Sequence, residues 1–146
     1  MNKKAITFVV LLFAIHGIFA QNWHTDFVRA KQIATENEHA IVLVFQGSDW
    51  CAPCIKLDRE VWSTAAYQAL AKDHFVMLKA DFPRKKKNAL SKEQQAQNNE
   101  LAEKYNPKGF FPYVVVLTNT GVVLGSTGYE KTTPEKYFNK LKAFEK

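Results

Sequence analysis

Cys51 and Cys54 stand three positions apart in the run Cys51-Ala52-Pro53-Cys54, and the chain of 146 residues has no other cysteine. Thiols at this spacing support metal binding, a static disulfide or reversible disulfide exchange. A tetrahedral metal site calls for about four ligands. No second cysteine pair exists here, and His16, His24, His39 and His74 show no ligand spacing. A staple that closes so short a loop removes little chain entropy and is poorly placed for that task. Exchange needs a thiolate that attacks and a second thiol that resolves the mixed disulfide, and this spacing brings both within bonding reach. With Cys51 at the start of a helix, exposed backbone N–H groups and the positive dipole end favour its thiolate. Cys51 is then the attacking sulfur and Cys54 the resolving one. Pro53 fits a first helical turn and stiffens the loop.

The surrounding sequence predicts the elements that hold this run. Ile41-Val42-Leu43-Val44-Phe45 is a β-branched and aromatic stretch, the pattern of a strand buried on both faces. After Cys54, the residues Leu57, Asp58, Val61, Trp62, Ala65 and Ala69 share one stripe of a continuous helix, with Trp62 in the core. Upstream, Trp23, Phe27, Ala30 and Ala34 recur with helical spacing and predict an opening helix. Phe75 to Ala80 reads as a second strand, and Ser91-Lys92-Glu93-Gln94 has capping-box spacing before a helix that runs to Tyr105. Tyr113 to Leu117 is a third strand, Asn119-Thr120-Gly121 a turn, and Val122-Val123-Leu124 its antiparallel return. Thr133-Pro134 caps a last helix with Tyr137, Phe138, Leu141 and Phe144 on its apolar face. Early strand–helix–strand alternation needs a parallel crossover, and the closing hairpin is antiparallel. The expected architecture is therefore α/β, a mixed sheet of four or five strands with helices on both faces.

Residues 1–20 read as a signal peptide. Lys3 and Lys4 form a basic start, Ala5 to Phe19 is almost wholly apolar, and Ala20 offers a small residue at the cleavage point. The mature domain is then 21–146; without cleavage, residues 5–20 would anchor the chain to a membrane. Removing Lys3 and Lys4 lowers the net charge from +6 to +4. That excess is modest and no nucleic-acid module accompanies it, so DNA or RNA is not an expected partner. Arg84-Lys85-Lys86-Lys87 is the densest basic run. A solvated loop is its plainer reading, and docking to an acidic partner or membrane surface the sharper one.

Val44 to Asp58, reading V-F-Q-G-S-D-W-C-A-P-C-I-K-L-D, resembles the active-site segment of the thioredoxin superfamily, where Trp-Cys-x-x-Cys follows a central strand. Gly109-Phe110-Phe111-Pro112-Tyr113 resembles the loop that carries that family's cis-proline. Leu124-Gly125 and Gly128-Tyr129 resemble its closing hairpin and exit. The likeness spans about Trp23 to Phe144 and is similar to small secreted thioredoxin-like proteins and to the C-terminal domain of the membrane thiol-disulfide interchange reductase. It implies that Pro112 is cis, that Phe111 and Pro112 border the substrate groove, and that Trp50 flanks the dithiol. The family generally carries a buried acid six positions before the first cysteine, where it relays a proton to the second. Phe45 stands at that position here. Asp58, four residues after Cys54 on the same stripe, matches an acid of the reductase domain and is the expected substitute.

These readings converge on an extracytoplasmic thiol-disulfide oxidoreductase, periplasmic or secreted, that works as a monomer with no metal or organic cofactor. Strong oxidants of the superfamily usually place His between the cysteines; Ala52-Pro53 supplies no such charge, which favours a disulfide reductant. Its expected partners are protein thiols and disulfides and an upstream redox donor, membrane-bound or soluble. The competing reading is a thioredoxin-fold binding or chaperone module whose disulfide is static or incidental.

Overall fold

The computed structural model describes residues 22–146. The expected signal segment, residues 1–20, lies outside the described residues. Five strands form one sheet in the order β1-β3-β2-β4-β5. Its centre is β2 (Ala40–Gln46), buried at every position, as the apolar run Ala40 to Phe45 requires, with the polar Gln46 buried at its end. Parallel to it runs β3 (Phe75–Asp81), and on the other side β4 (Tyr113–Leu117) is antiparallel. A crossover of two helices, α2 (Ala52–Leu57) and α3 (Ala65–Ala71), joins β2 to β3. Helix α4 (Lys92–Tyr105) leads to β4, and α5 (Pro134–Ala143) closes the chain.

Alternation along β2 divides the core in two. Val42 and Val44 face Leu57, Val61, Trp62, Tyr67, Tyr137 and Leu141 on one side of the sheet. Ile41, Leu43 and Phe45 face Ala30, Ala34, Leu101 and Tyr105 on the other. Trp62 centres the first layer, with edge-on ring contacts to Trp23, Tyr67 and Tyr137 at 6.0, 4.8 and 5.2 Å. Such pairs add about 0.5–1.5 kcal/mol each beyond burial of area.

Three expectations change. Trp23 does not open a helix: Trp23–His24 form the short strand β1 beside Met77 and Leu78, and the helix α1 (Phe27–Asn37) begins after the cap Asp26. Trp23 instead lies edge-on to Trp62, so tertiary packing overrides the local periodicity. The helix after Cys54 is not continuous either. It widens into a π-helical turn at Asp58–Trp62 and stops, and Thr64 caps α3 afresh. The restart turns the stripe, leaving Ala65 and Ala69 exposed and burying Tyr67 and Ala71. Finally, the return strand β5 is Val123–Thr127, shifted toward the C-terminus from Val122-Val123-Leu124. Leu124 is an extra residue against β4, because Gly125 pairs with Val116 while Val123 pairs with Leu117. Among the described residues no helix is long and apolar enough to cross a membrane.

Candidate active site

The C-terminal end of β2 delivers the chain into a turn closed by the Gly47 carbonyl, which accepts the N–H groups of Trp50 (3.3 Å) and Cys51 (2.9 Å). Ser48 donates its N–H and hydroxyl to the Asp81 carboxylate at 2.9 and 2.6 Å, tying the turn to the end of β3. Cys51 is the N-cap of α2, extended at φ −89° and ψ 98°. Its Sγ accepts the backbone N–H of Cys54 at 3.3 Å. A sulfur in that position occupies the place of a capping oxygen, where a helix start offers unsatisfied donors and favours negative charge. Pro53 lies in the first turn, where a missing N–H costs nothing. Cys51 and Cys54 are joined in a disulfide with Cα atoms 5.2 Å apart, and each residue is 4% exposed.

Two further loops close on this turn through aromatic rings. Trp50 donates its Nε1–H to the Phe82 carbonyl at 2.7 Å. The Phe111 ring lies 5.4 Å from that of Trp50 and 5.5 Å from that of Phe82. The Phe111–Pro112 peptide is cis and Pro112 is buried. The loop before it is held by buried Asn106, which donates to the Phe110 carbonyl (2.8 Å) and accepts the Phe110 N–H (3.0 Å). Phe111, which precedes the cis-proline, thus packs on Trp50, the residue that precedes Cys51. The bonds are non-local: Trp50 and Phe82 are 32 positions apart, and nothing in the local sequence signals the pair.

Asp49, Phe82, Arg84 and Asn106 were not legible as parts of this site. The Asp49 carboxylate accepts the N–H groups of Arg84 (2.9 Å) and Lys85 (3.0 Å) and the Asn88 side-chain amide (2.9 Å). Those bonds, the one from Arg84 foremost, hold Asp49 below the usual carboxylate range. The Arg84 guanidinium carbon lies 3.7 Å from the centre of the Trp50 ring.

Behind Cys54 a cavity of about 220 Å³ is lined by Gln46, Ser48, Cys54, Ile55, Asp58 and Lys79. Asp58 therefore shares a cavity with the second cysteine, and it accepts the Ser63 hydroxyl at 3.1 Å. Phe45 lies on the face of β2 away from Leu57 of α2. It belongs to the opposite core layer and packs on Tyr113, because successive strand residues alternate faces. The residue of β2 that reaches the cavity is its neighbour Gln46. Among the described residues no three His, Cys, Asp or Glu side chains gather as metal ligands.

A family model described as thioredoxin-like matches residues 22–118. The chain belongs to the thioredoxin-like family. It is 32% identical over 118 residues to the disulfide bond reductase DsbH of Chlamydia pneumoniae, a match covering 81% of this chain and 69% of that protein. A solved structure described as DsbH oxidoreductase superposes with a TM-score of 0.77 at 27% identity, covering 98% of this chain and 94% of that one. The reduced C-terminal domain of DsbD from Neisseria meningitidis shares the fold, with a TM-score of 0.57 at 14% identity over 84% of this thioredoxin-like chain and 98% of that domain.

Proposed function

We propose that this thioredoxin-like protein is a thiol-disulfide oxidoreductase that reduces disulfides of other proteins outside the cytoplasm. The observation that carries the reading is the Cys54 N–H directed at Cys51 Sγ at the start of α2. That donor stabilises a thiolate on Cys51 and leaves Cys54 inside the first turn to resolve. In the dithiol state the Cys51 thiolate attacks one sulfur of a substrate disulfide, forming a mixed disulfide and expelling the other sulfur as thiolate. Cys54 then loses its proton and attacks Cys51 Sγ. The substrate leaves fully reduced, and the Cys51–Cys54 bond holds the two electrons' worth of oxidation. An upstream dithiol donor restores the pair.

Asp58, in the cavity with Cys54, is the proton acceptor in this scheme. Trp50, with Phe111 packed on it and Pro112 following, supplies the contact surface for the substrate chain in this scheme. The direction of electron flow follows from Ala52-Pro53, which places no cationic side chain between the cysteines, and agrees with the name of the Chlamydia relative. Export rests on residues 1–20, whose removal would leave a mature domain of 21–146.

Insulin reduction tests the proposal. The protein is expected to precipitate insulin B chain in the presence of a chemical thiol donor, and Cys51→Ser to abolish this. No insulin reduction by the wild-type protein, together with suppression of aggregation that Cys51→Ser leaves undiminished, would identify a binding module instead.

A further inference from the structure

We infer that the ridge Arg84–Lys87 is a docking surface for an acidic segment of the protein that exchanges its disulfide with Cys51; the inference rests on the oxidoreductase reading above. The four cations are consecutive and all exposed. A solvated loop of that composition would ordinarily be loosely attached, since like charges repel and the backbone has no ladder to join. This one is bound to the redox motif at two points. Asp49, two residues before Cys51, accepts the backbone N–H groups of Arg84 and Lys85 and the side chain of Asn88. Arg84 stacks on Trp50, the residue that precedes Cys51.

The way the carboxylate is used matters. Its three hydrogen bonds go to two backbone amides and one neutral side chain, so the acid fixes the loop with no close ion pair to a lysine ammonium, although the Lys85 charge also acts on it. Among the described residues no ion pair within 4 Å engages Arg84, Lys85, Lys86 or Lys87; the pairs present are Arg59–Glu60, Lys72–Asp73, His74–Glu145 and Lys140–Glu130. The result is a pre-ordered positive surface tied to Asp49 and Trp50, the residues that lead into Cys51. Ordering it in advance removes an entropy cost that a flexible loop would meet on binding. At physiological ionic strength exposed charges act over about 8 Å. The complementary acids must therefore lie close in space to the partner's exchanging cysteine, as acids flanking it in sequence do. A vesicle surface carries negative charge too, but no exchangeable sulfur. Placement of the ridge on the redox motif favours a protein.

Three disulfide peptides of one sequence, with the disulfide flanked by Glu, Gln or Lys pairs, separate the possibilities. The wild-type protein is expected to reduce the Glu peptide with a kcat/KM about tenfold above the Gln peptide at low salt, an effect of the size that charge steering gives. The ratio should fall toward one in 0.5 M salt and in Lys85→Gln/Lys86→Gln/Lys87→Gln. The charge-reversed Lys85→Glu/Lys86→Glu/Lys87→Glu should prefer the Lys peptide, which shows that the altered loop still supports exchange. Equal rates for the three peptides with wild-type protein overturn the docking surface while leaving the oxidoreductase standing. No reduction of any peptide defeats the oxidoreductase reading, and the docking surface with it. Binding to vesicles of 30% phosphatidylglycerol that the triple Gln variant abolishes, with unchanged peptide ratios, assigns the ridge to a membrane and overturns the inference.

Discussion

The indole of Trp50 lies against the bare backbone of Gly47, so close that a Cβ there would come within 2.2 Å of the ring. Gly47 is buried at the end of β2, and Trp50 is held from beyond by Phe82 and Arg84. The ring has no room to retreat without breaking those contacts. Gly47→Ala should therefore cost about 1–3 kcal/mol, the range for overpacking a filled site. Urea unfolding gives the loss, and a change in Trp50 fluorescence would place its origin at the site. A variant of wild-type stability and spectrum would mean that the turn adjusts freely.

Cys51 and Cys54 should differ in reactivity once reduced. Only Cys51 Sγ takes a helix-start N–H, so iodoacetamide near neutral pH should alkylate it much faster than Cys54. Its thiol pKa should fall below the ~8.5 of an ordinary cysteine. Mass spectrometry of partly alkylated protein measures both rates, and equal rates would remove the assignment of attacker and resolver.

Asp58 faces the cavity at Cys54 with Ser63 as its side-chain partner. Asp58→Asn preserves shape and removes the basic oxygen. The first attack by Cys51 should proceed at the wild-type rate while resolution slows by roughly 10²-fold, the low end for a positioned general base. Mixed disulfide should then accumulate in quenched-flow samples. Unchanged resolution would assign the proton to solvent or substrate.

Acid should release the basic loop from the redox motif only at low pH. The amides bound to Asp49 depress its folded pKa below that of an ordinary aspartate, so this anchoring is fully present above the ordinary value. It is lost as pH falls through the lower folded pKa. Protection of the Arg84 and Lys85 amides against hydrogen exchange should persist to below about pH 4 and decline only as the lower folded pKa is passed. Asp49→Ala should lack it at every pH.

Much of this site could be read from the chain before any coordinates. The Cys-x-x-Cys run, the buried strand ahead of it and the helix behind it are local patterns, with periods set by strand and helix geometry. Phe111-Pro112 stood out for its resemblance to a known loop. What stayed hidden is non-local or depends on small changes of phase. The bonds from Asp49 to the 84–88 loop span 35 to 39 positions. The π-helical turn at Asp58–Trp62 alters the helical phase, and so Tyr67 takes the core place that periodicity gave to Ala65 and Ala69. Phe45 holds the acid's place by its count from Cys51, and a count does not say which face of β2 a residue uses. Trp23 has helical spacing to Phe27, yet it lies on the sheet because Trp62 provides an aromatic partner there.

The extra residue Leu124 has a bearing on how the molecule behaves in a crowd. β5 is an outer strand of the sheet, and Val122, Val123 and Leu124 are 61%, 52% and 37% exposed. A flat apolar border of that kind invites a stranger's strand to extend the ladder. Leu124 breaks the even spacing of the N–H and C=O groups along it and bends the strand at that point. The irregularity thus works as a guard against edge-to-edge aggregation, at the far border of a sheet whose centre feeds the redox turn.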